Sequence, residues 1–505
     1  MAPNEYIYTT GRNGELDPEK SAKLEDLFAA ARAGESIVIH LHGGLVNERS
    51  GTDTALRLTN GYLAARARPV FVVWQSGLLE ILKHNLDEIV GEDIFHRMLK
   101  RITQFTVGKL RQGPGERAAG SVPLPKDREV DLEIATRTAG GEPYAAARAP
   151  AGLTEVNAAE EEELRLSIQE DAALLADLEA ILAARHPETK VQDEGGRGIT
   201  VRTVASSATL MDPDALDSID QREPAAEGER GVLTTIGLAV KAARVLKRVI
   251  DRFRADEDHG VYCTVVEELL REFYFANAGG SVWSAMKKET QDTFAPGADR
   301  FGRTLLDGLS EALATGARPR IALVGHSTGA VYINHLLAEV ARGRTQGDRT
   351  WPQDAHFQVV FLAPACTYDN FAAVLDKDKD LISDLRMFTM KRDTEEKDHL
   401  VGPLYPRSLL HLISGVLERD PKGASAWTPL VGMARYREPA YADGKFKDVP
   451  GLAAGRDYLT DARVVLSPTA EGAAPGRASG ATSHTSFDED KQVLDSIAAI
   501  LRGTP

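Results

Sequence analysis

Hydrophobic positions in the first hundred residues alternate between two periods. Glu5 to Thr9 (EYIYT) alternates as a short strand does, whereas Ser21 to Ala33 places Leu24, Leu27, Phe28 and Ala31 at helical spacing. Gly34 closes that helix. Ile37 to Leu41 (IVIHL) is a β-branched run of strand length that breaks at His42-Gly43-Gly44. Val70 to Trp74 (VFVVW) reads as a strand buried on both faces. Strands alternating with helices predict an α/β protein with a mostly parallel central sheet flanked by helices.

The next comparable strand comes only at Arg320, far beyond an ordinary connection. The intervening chain reads as mainly helical. Leu164, Ile168, Ala172, Leu175, Leu178 and Leu182 fall on one stripe, and further helical zones run from Val232 to Phe253 and from Thr264 to Phe275. Gln112 to Pro125 and Ala139 to Gly152, rich in Gly, Pro, Ala and Arg, are expected to be weakly structured. Strand signals resume at Arg320–Val324, Phe357–Leu362, Leu385–Met390 and Ala462–Leu466. A last helix is expected over Phe487–Leu501, with Val493, Ile497 and Ile500 facing inward. The pattern therefore predicts one split core, its halves at residues 1–105 and 301–505, with a large, mainly helical insertion or cap over 106–300.

Composition narrows the function classes. Of 505 residues, 43% are apolar and 27% charged, as in ordinary globular proteins. Sixty basic against 75 acidic residues leave a net charge of -15, which disfavours nucleic acid as a partner. Cys263 and Cys366 make neither a disulfide framework nor a four-cysteine zinc site. MAPNEYIYTTGRNGELDPEK lacks the basic and apolar regions of a secretion signal, and no uninterrupted apolar run reaches membrane-spanning length, so a cytoplasmic location is expected.

The sharpest chemistry lies in IALVGHSTGAVYINHLLAEVA. A strand, Ile321 to Val324, runs into Gly325-His326-Ser327-Thr328-Gly329, which fits G-x-S-x-G, and then into an apolar-periodic helix. In that context Ser327 projects its hydroxyl above the carboxyl end of the sheet, at a helix N-terminus whose amides face a developing oxyanion. The segment resembles the nucleophile elbow of the α/β-hydrolase superfamily, of the GHSxG kind found in many lipases and esterases. The resemblance extends to the order of strands and motifs in residues 1–105 and 300–505.

It implies a serine hydrolase that needs no metal or organic cofactor. By the same resemblance, the turn after Leu41 supplies oxyanion-hole amides from Gly44 or Leu45, together with that of Thr328. His42, Gly43 and His326 would line the substrate site beside them. The acid follows the strand ending at Met390, where Asp398 suits the pattern better, Asp393 is the reserve and the glutamates follow. His484, between the last strand and the terminal helix, stands at the place of the base, ahead of His399 and His411. Trp74 is a candidate for lining the mouth. His40 and His42 share a strand face as a metal pair would, but no further ligands stand out, so no metal is expected. The implied substrate is a small-molecule ester or lipid. The basic face of the Val232–Ile250 run is read either as packing against the core or as a weak membrane-surface contact.

Overall fold

The computed structural model describes residues 3–11, 14–44, 48–74, 78–111, 124–137, 142–185, 188–192, 198–202, 209–219, 230–275, 277–296, 300–346, 351–399, 405–418, 427–442, 446 and 448–503. In chain order the strands are β1 (Ile7–Thr10), β2 (Ile37–Leu41), β3 (Arg68–Trp74), β4 (Glu188–Gln192), β5 (Gly198–Arg202), β6 (Ile321–His326), β7 (Phe357–Leu362), β8 (Ile382–Met390) and β9 (Val464–Ser467). Seven of them form one sheet in the order β1-β3-β2-β6-β7-β8-β9, with every neighbouring pair parallel. The other two, β4 and β5, form a separate antiparallel hairpin.

The sheet is buried on both faces, which explains its continuous Val/Ile/Leu/Phe runs. Successive side chains point to opposite faces. Ile37, Ile39 and Leu41 join Val70, Val72, Leu323 and Val359 in the larger core, shared with the helices inserted between β3 and β6. Val38, Phe71, Val73, Val324 and Val360 face the other way, against Ala55, Leu58 and Tyr62 of helix Glu48–Ala64 and Val493, Ile497 and Ile500 of helix Lys491–Arg502.

Strand order fixes where a site can form. From β2 the chain moves to β3 on one side, whereas β6 lies on the other side of β2 and the chain then proceeds away from it. Connections leaving the carboxyl ends of β2 and β6 therefore diverge and open a crevice between them, the usual position for ligands in open parallel sheets.

Several sequence expectations shift in detail. The alternation at Glu5–Thr9 resolves into a 3-10 turn over Pro3–Tyr6 followed by β1. β8 begins three residues earlier than expected, at Ile382, and the terminal helix begins later, at Lys491, where Asp490 caps it by accepting from the Val493 amide. The stripe from Leu164 to Leu182 is carried by two helices, Ala158–Gln169 and Ala172–Arg185, the first opened by a capping box between Asn157 and Glu160. Within the Gly/Ala-rich Ala139–Gly152 stretch, Glu142 is buried and paired with Arg407. Residues 112–123, in the other stretch expected to be weak, lie outside the described residues.

The inserted helices are bound to each other by charge as well as by apolar packing. Arg252 of helix Arg230–Ala255 lies within 2.6 Å of Glu267 and 3.1 Å of Glu268 on helix Val261–Phe273, and Arg248 reaches Glu268 at 2.7 Å. Further along the same basic face, Lys241 and Arg244 each lie 3.0 Å from Glu272. Three carboxylates, Glu267, Glu268 and Glu272, thus pair four cations of this face, Lys241, Arg244, Arg248 and Arg252, while the side chains of Val232 to Thr234 are outside the described set. Among the described residues no helix is long and apolar enough to cross a membrane.

Candidate active site

The crevice between β2 and β6 is where the two glycine-rich turns meet. Leu41 pairs with Gly325 in the sheet, so the residues that follow, His42-Gly43-Gly44 and His326-Ser327-Thr328, leave their strands side by side. Ser327 has φ +53°, a left-handed conformation that a non-glycine residue adopts only when its surroundings impose it. The surroundings here are backbone hydrogen bonds: the Ser327 amide donates to Leu362 O at 2.8 Å, and Ser327 O accepts from Ala365 at 3.0 Å and Ala330 at 3.1 Å.

The motif glycines permit this turn through close approach. A Cβ on Gly325 would stand 2.7 Å from the Gly329 carbonyl carbon, and one on Gly329 would run into Leu41 O. Helix Gly329–Gln346 is thereby seated against β2 as well as β6. Gly43 is similarly constrained, since a Cβ there would meet that of Ser327 at 3.2 Å.

Ser327 is fully buried, and its hydroxyl has no hydrogen-bond partner among the described residues. His484 is buried as well, on a short 3-10 turn (His484–Ser486), and neither of its ring nitrogens has a partner there. Burial, reinforced by the neighbouring His326, holds its imidazole well below the ordinary histidine range and therefore neutral at pH 7. In this state Ser327 and His484 are not hydrogen-bonded to each other.

Of the two acid candidates, Asp398 reaches His484. Its Oδ2 accepts from the His484 backbone amide at 2.8 Å, so it grips the peptide rather than the ring. Asp393 is exposed on the helical turn Arg392–Glu395. Glu395 on that turn is buried, accepts from Ser408 Oγ at 3.2 Å, and is pushed up to about 8 by burial.

The oxyanion candidates meet directly. Gly44 donates its amide to Thr328 Oγ1 at 3.2 Å, and a Cβ on Gly44 would collide with Met286 Sδ. The inserted helix Gly280–Asp292 thus lays Met286 over this turn. Leu45 lies outside the described residues. His42 holds the turn rather than facing it openly. Its Nδ1 donates to Gly43 O at 2.7 Å and its Nε2 accepts from the Trp74 amide at 3.2 Å, which fixes a neutral tautomer, and burial lowers it to about 4. His40 bonds Tyr62 OH through Nδ1 at 2.8 Å. No group of three or more His, Cys, Asp or Glu side chains among the described residues could hold a metal ion.

Trp74 stacks on Tyr332 with ring centroids 4.8 Å apart and contacts His42 at 5.1 Å. Together with Met286, Thr290 and Thr293 these two aromatics line a narrow cleft. Tyr332 and Met286 escaped the sequence reading. Tyr332 belongs to an ordinary apolar helix pattern, and Met286 is brought in by a helix far from either motif. Asp488 escaped it too, although it follows His484 by one helical turn. Its Oδ2 lies 3.4 Å from His326 Nδ1, and His326 Nε2 donates to His484 O at 2.9 Å. Comparison with known protein families, with curated proteins and with solved structures found no match to this chain.

Proposed function

We propose that the chain is a serine hydrolase of the α/β-hydrolase type that cleaves a carboxylic ester, with Ser327 as nucleophile, His484 as base and Asp398 as the acid that orients it. The observation that carries this reading is the Ser327 turn: a buried hydroxyl, unbonded among the described residues, in a left-handed conformation at the carboxyl end of β6, where strand connections diverge, with the His484 ring 5.3 Å from that of the preceding residue, His326. Strain of this kind persists where the fold over-determines it, and an unsatisfied buried hydroxyl costs stability, a combination that clusters at reactive sites.

The steps follow from the groups present. Ser327 Oγ attacks the ester carbonyl carbon while His484 takes the hydroxyl proton, and the amides near Gly44 and Thr328 receive the oxyanion. Collapse breaks the bond to the alcohol, which leaves with the proton from His484. Water, deprotonated by His484, then releases the carboxylic acid and restores Ser327. The Gly44 amide must exchange its bond to Thr328 Oγ1 for the substrate oxygen, and Met286 must move aside.

A second reading draws on that closure: with Ser327 sealed and no carboxylate on the His484 ring, the site would belong to a catalytically silent binding module. A panel of p-nitrophenyl esters, thioesters and anilides of graded acyl length, with Ser327→Ala as control, separates the readings. Ester turnover abolished by the substitution supports the hydrolase. Preference for thioester or anilide moves the assignment to thioesterase or to amidase or peptidase. Absence of turnover across the panel favours the silent module.

A further inference from the structure

The His484 peptide is gripped from both sides. Asp398 takes its N–H at 2.8 Å, and His326 Nε2 donates to its C=O at 2.9 Å. A ring nitrogen facing a carbonyl must carry a proton, and so must Nδ1 of the same ring where it faces the Asp488 carboxylate at 3.4 Å. His326 is therefore drawn as an imidazolium, paired with Asp488, and both side chains are almost entirely buried. The pair ties the residue immediately before the nucleophile to the segment that carries the base, across 158 positions of sequence.

We propose that His326 and Asp488 are positioning residues for the base: they hold the His484 backbone from its carbonyl side while Asp398 holds it from its amide side. This rests on the serine-hydrolase reading of the same site. Two further features agree with it. The His326 and His484 rings lie 5.3 Å apart, so the charge on His326 opposes protonation of His484. Burial alone would discharge both partners, yet His326 is raised above its ordinary value by Asp488, and the Asp488 carboxyl is held down at about 2 by His326. The other charged or titratable groups around the pair are His40 and His42 from the β2 side, Tyr62 and Arg57 from helix Glu48–Ala64, the latter's NH2 donating to Asp488 O at 3.4 Å, and Glu489 beside it.

The test combines two readouts on the full chain. The first is ¹⁵N spectroscopy of the histidine side chains, which distinguishes an imidazolium from either neutral tautomer. The second is the rate of labelling by a fluorophosphonate as a function of pH. At pH 7.5 the wild type is expected to show His326 doubly protonated and His484 neutral. His326→Gln keeps a donor for the His484 carbonyl without the charge. Its labelling should stay within about threefold of wild type at pH 8 while the acidic midpoint moves upward. His326→Ala removes the donor, and its labelling should fall by about 100-fold or more. Asp488→Asn should discharge His326 in the spectrum. A neutral His326 in the wild type overturns the pair. So does equal labelling by wild type and His326→Ala, once thermal unfolding shows both folded. If the wild type is not labelled at any pH, the hydrolase reading falls, and the spectra still decide the pair. In that case His484 signals displaced further in His326→Ala than in His326→Gln, beyond the shift both share through loss of the charge, support the clamp, and equal displacement in both refutes it.

Discussion

Replacing the nucleophile candidate by alanine should make the protein more stable. Ser327 carries a hydroxyl that is fully buried and bonded to nothing among the described residues. Leaving such a group unsatisfied costs about 1–3 kcal/mol, and Ser327→Ala removes it while keeping the Cβ that packs against Gly43. The φ of +53° persists in the variant, so its strain is common to both proteins and cancels. Ser327→Gly would in addition relieve about 1 kcal/mol of left-handed strain, but it loses a comparable amount to the greater freedom of the unfolded chain. The expected order is therefore alanine and glycine close together, both above serine. For a chain of 505 residues an unfolding entropy of about 2 cal/mol/K per residue gives roughly 1 kcal/mol/K, so the gain appears as a rise in Tm of about 1–3 °C. Differential scanning calorimetry with replicate preparations resolves that interval. A Tm for Ser327→Ala equal to or below that of the wild type would refute the reasoning, because the hydroxyl would then be satisfied and the site under no tension.

Other substitutions address the parts around it. Gly329→Ala places a Cβ against Leu41 O and should destabilise by about 2–3 kcal/mol, seen as a lower Tm. A Tm unchanged by Gly329→Ala would deny the close seating of the helix on β2. Asp398→Asn can still accept from the His484 amide but loses the charge, so ester turnover should fall about 100-fold or more with the fold intact, whereas Asp393→Asn should leave it within about twofold. The reverse ranking would assign the acid to Asp393. Met286→Ala uncovers Gly44 and should raise kcat/KM for bulky esters about tenfold relative to acetyl esters while lowering stability by about 2–5 kcal/mol, and an unchanged chain-length profile would remove Met286 from the substrate path.

Stability should also peak in pH. Burial lowers His40 to about 3 and His42 and His335 to about 4, and lowers His259, His411 and His484 well below the ordinary value, so each contributes stability above about pH 6.5 that is lost as pH falls. Burial raises Glu142 to about 7 and Glu395 to about 8, and these contribute stability below about pH 4.5 that is lost as pH rises. Between pH 4.5 and 6.5 the six histidines outweigh the two glutamates, so Tm should climb through that window and decline gently above it. A Tm that falls steadily from pH 5 to 7 would contradict these burial effects.

The parallel core was legible because its strands are continuous apolar runs, a pattern that burial on both faces enforces. The β2 and β6 turns were legible because only glycine tolerates the approach of Leu41 O to Gly329, and Gly43 lies tight against Ser327. Asp398 was reachable through its place after β8, though its contact with the backbone rather than the ring of His484 was not. What stayed hidden depends on distant chain segments meeting. Met286 arrives over Gly44 through the packing of an inserted helix, and Asp488 matters only because β6 brings His326 against it. The break at Glu170-Asp171 was hidden for a different reason: Glu170 ends one helix and Asp171, accepting from the Leu174 amide, opens the next without disturbing the apolar period. Among the described residues the strands β4 and β5 pair with each other alone, and their sequence carries little apolar alternation to announce them.

The central claim is that Ser327 is a nucleophile. It is tested most directly by treating the folded protein with a fluorophosphonate, digesting it and locating the adduct by mass spectrometry. A single phosphonyl adduct on Ser327, absent after prior heat unfolding and absent in Ser327→Ala, is the predicted result. Adducts elsewhere with Ser327 unmodified, or no adduct on the folded protein across pH 6–9, would contradict it.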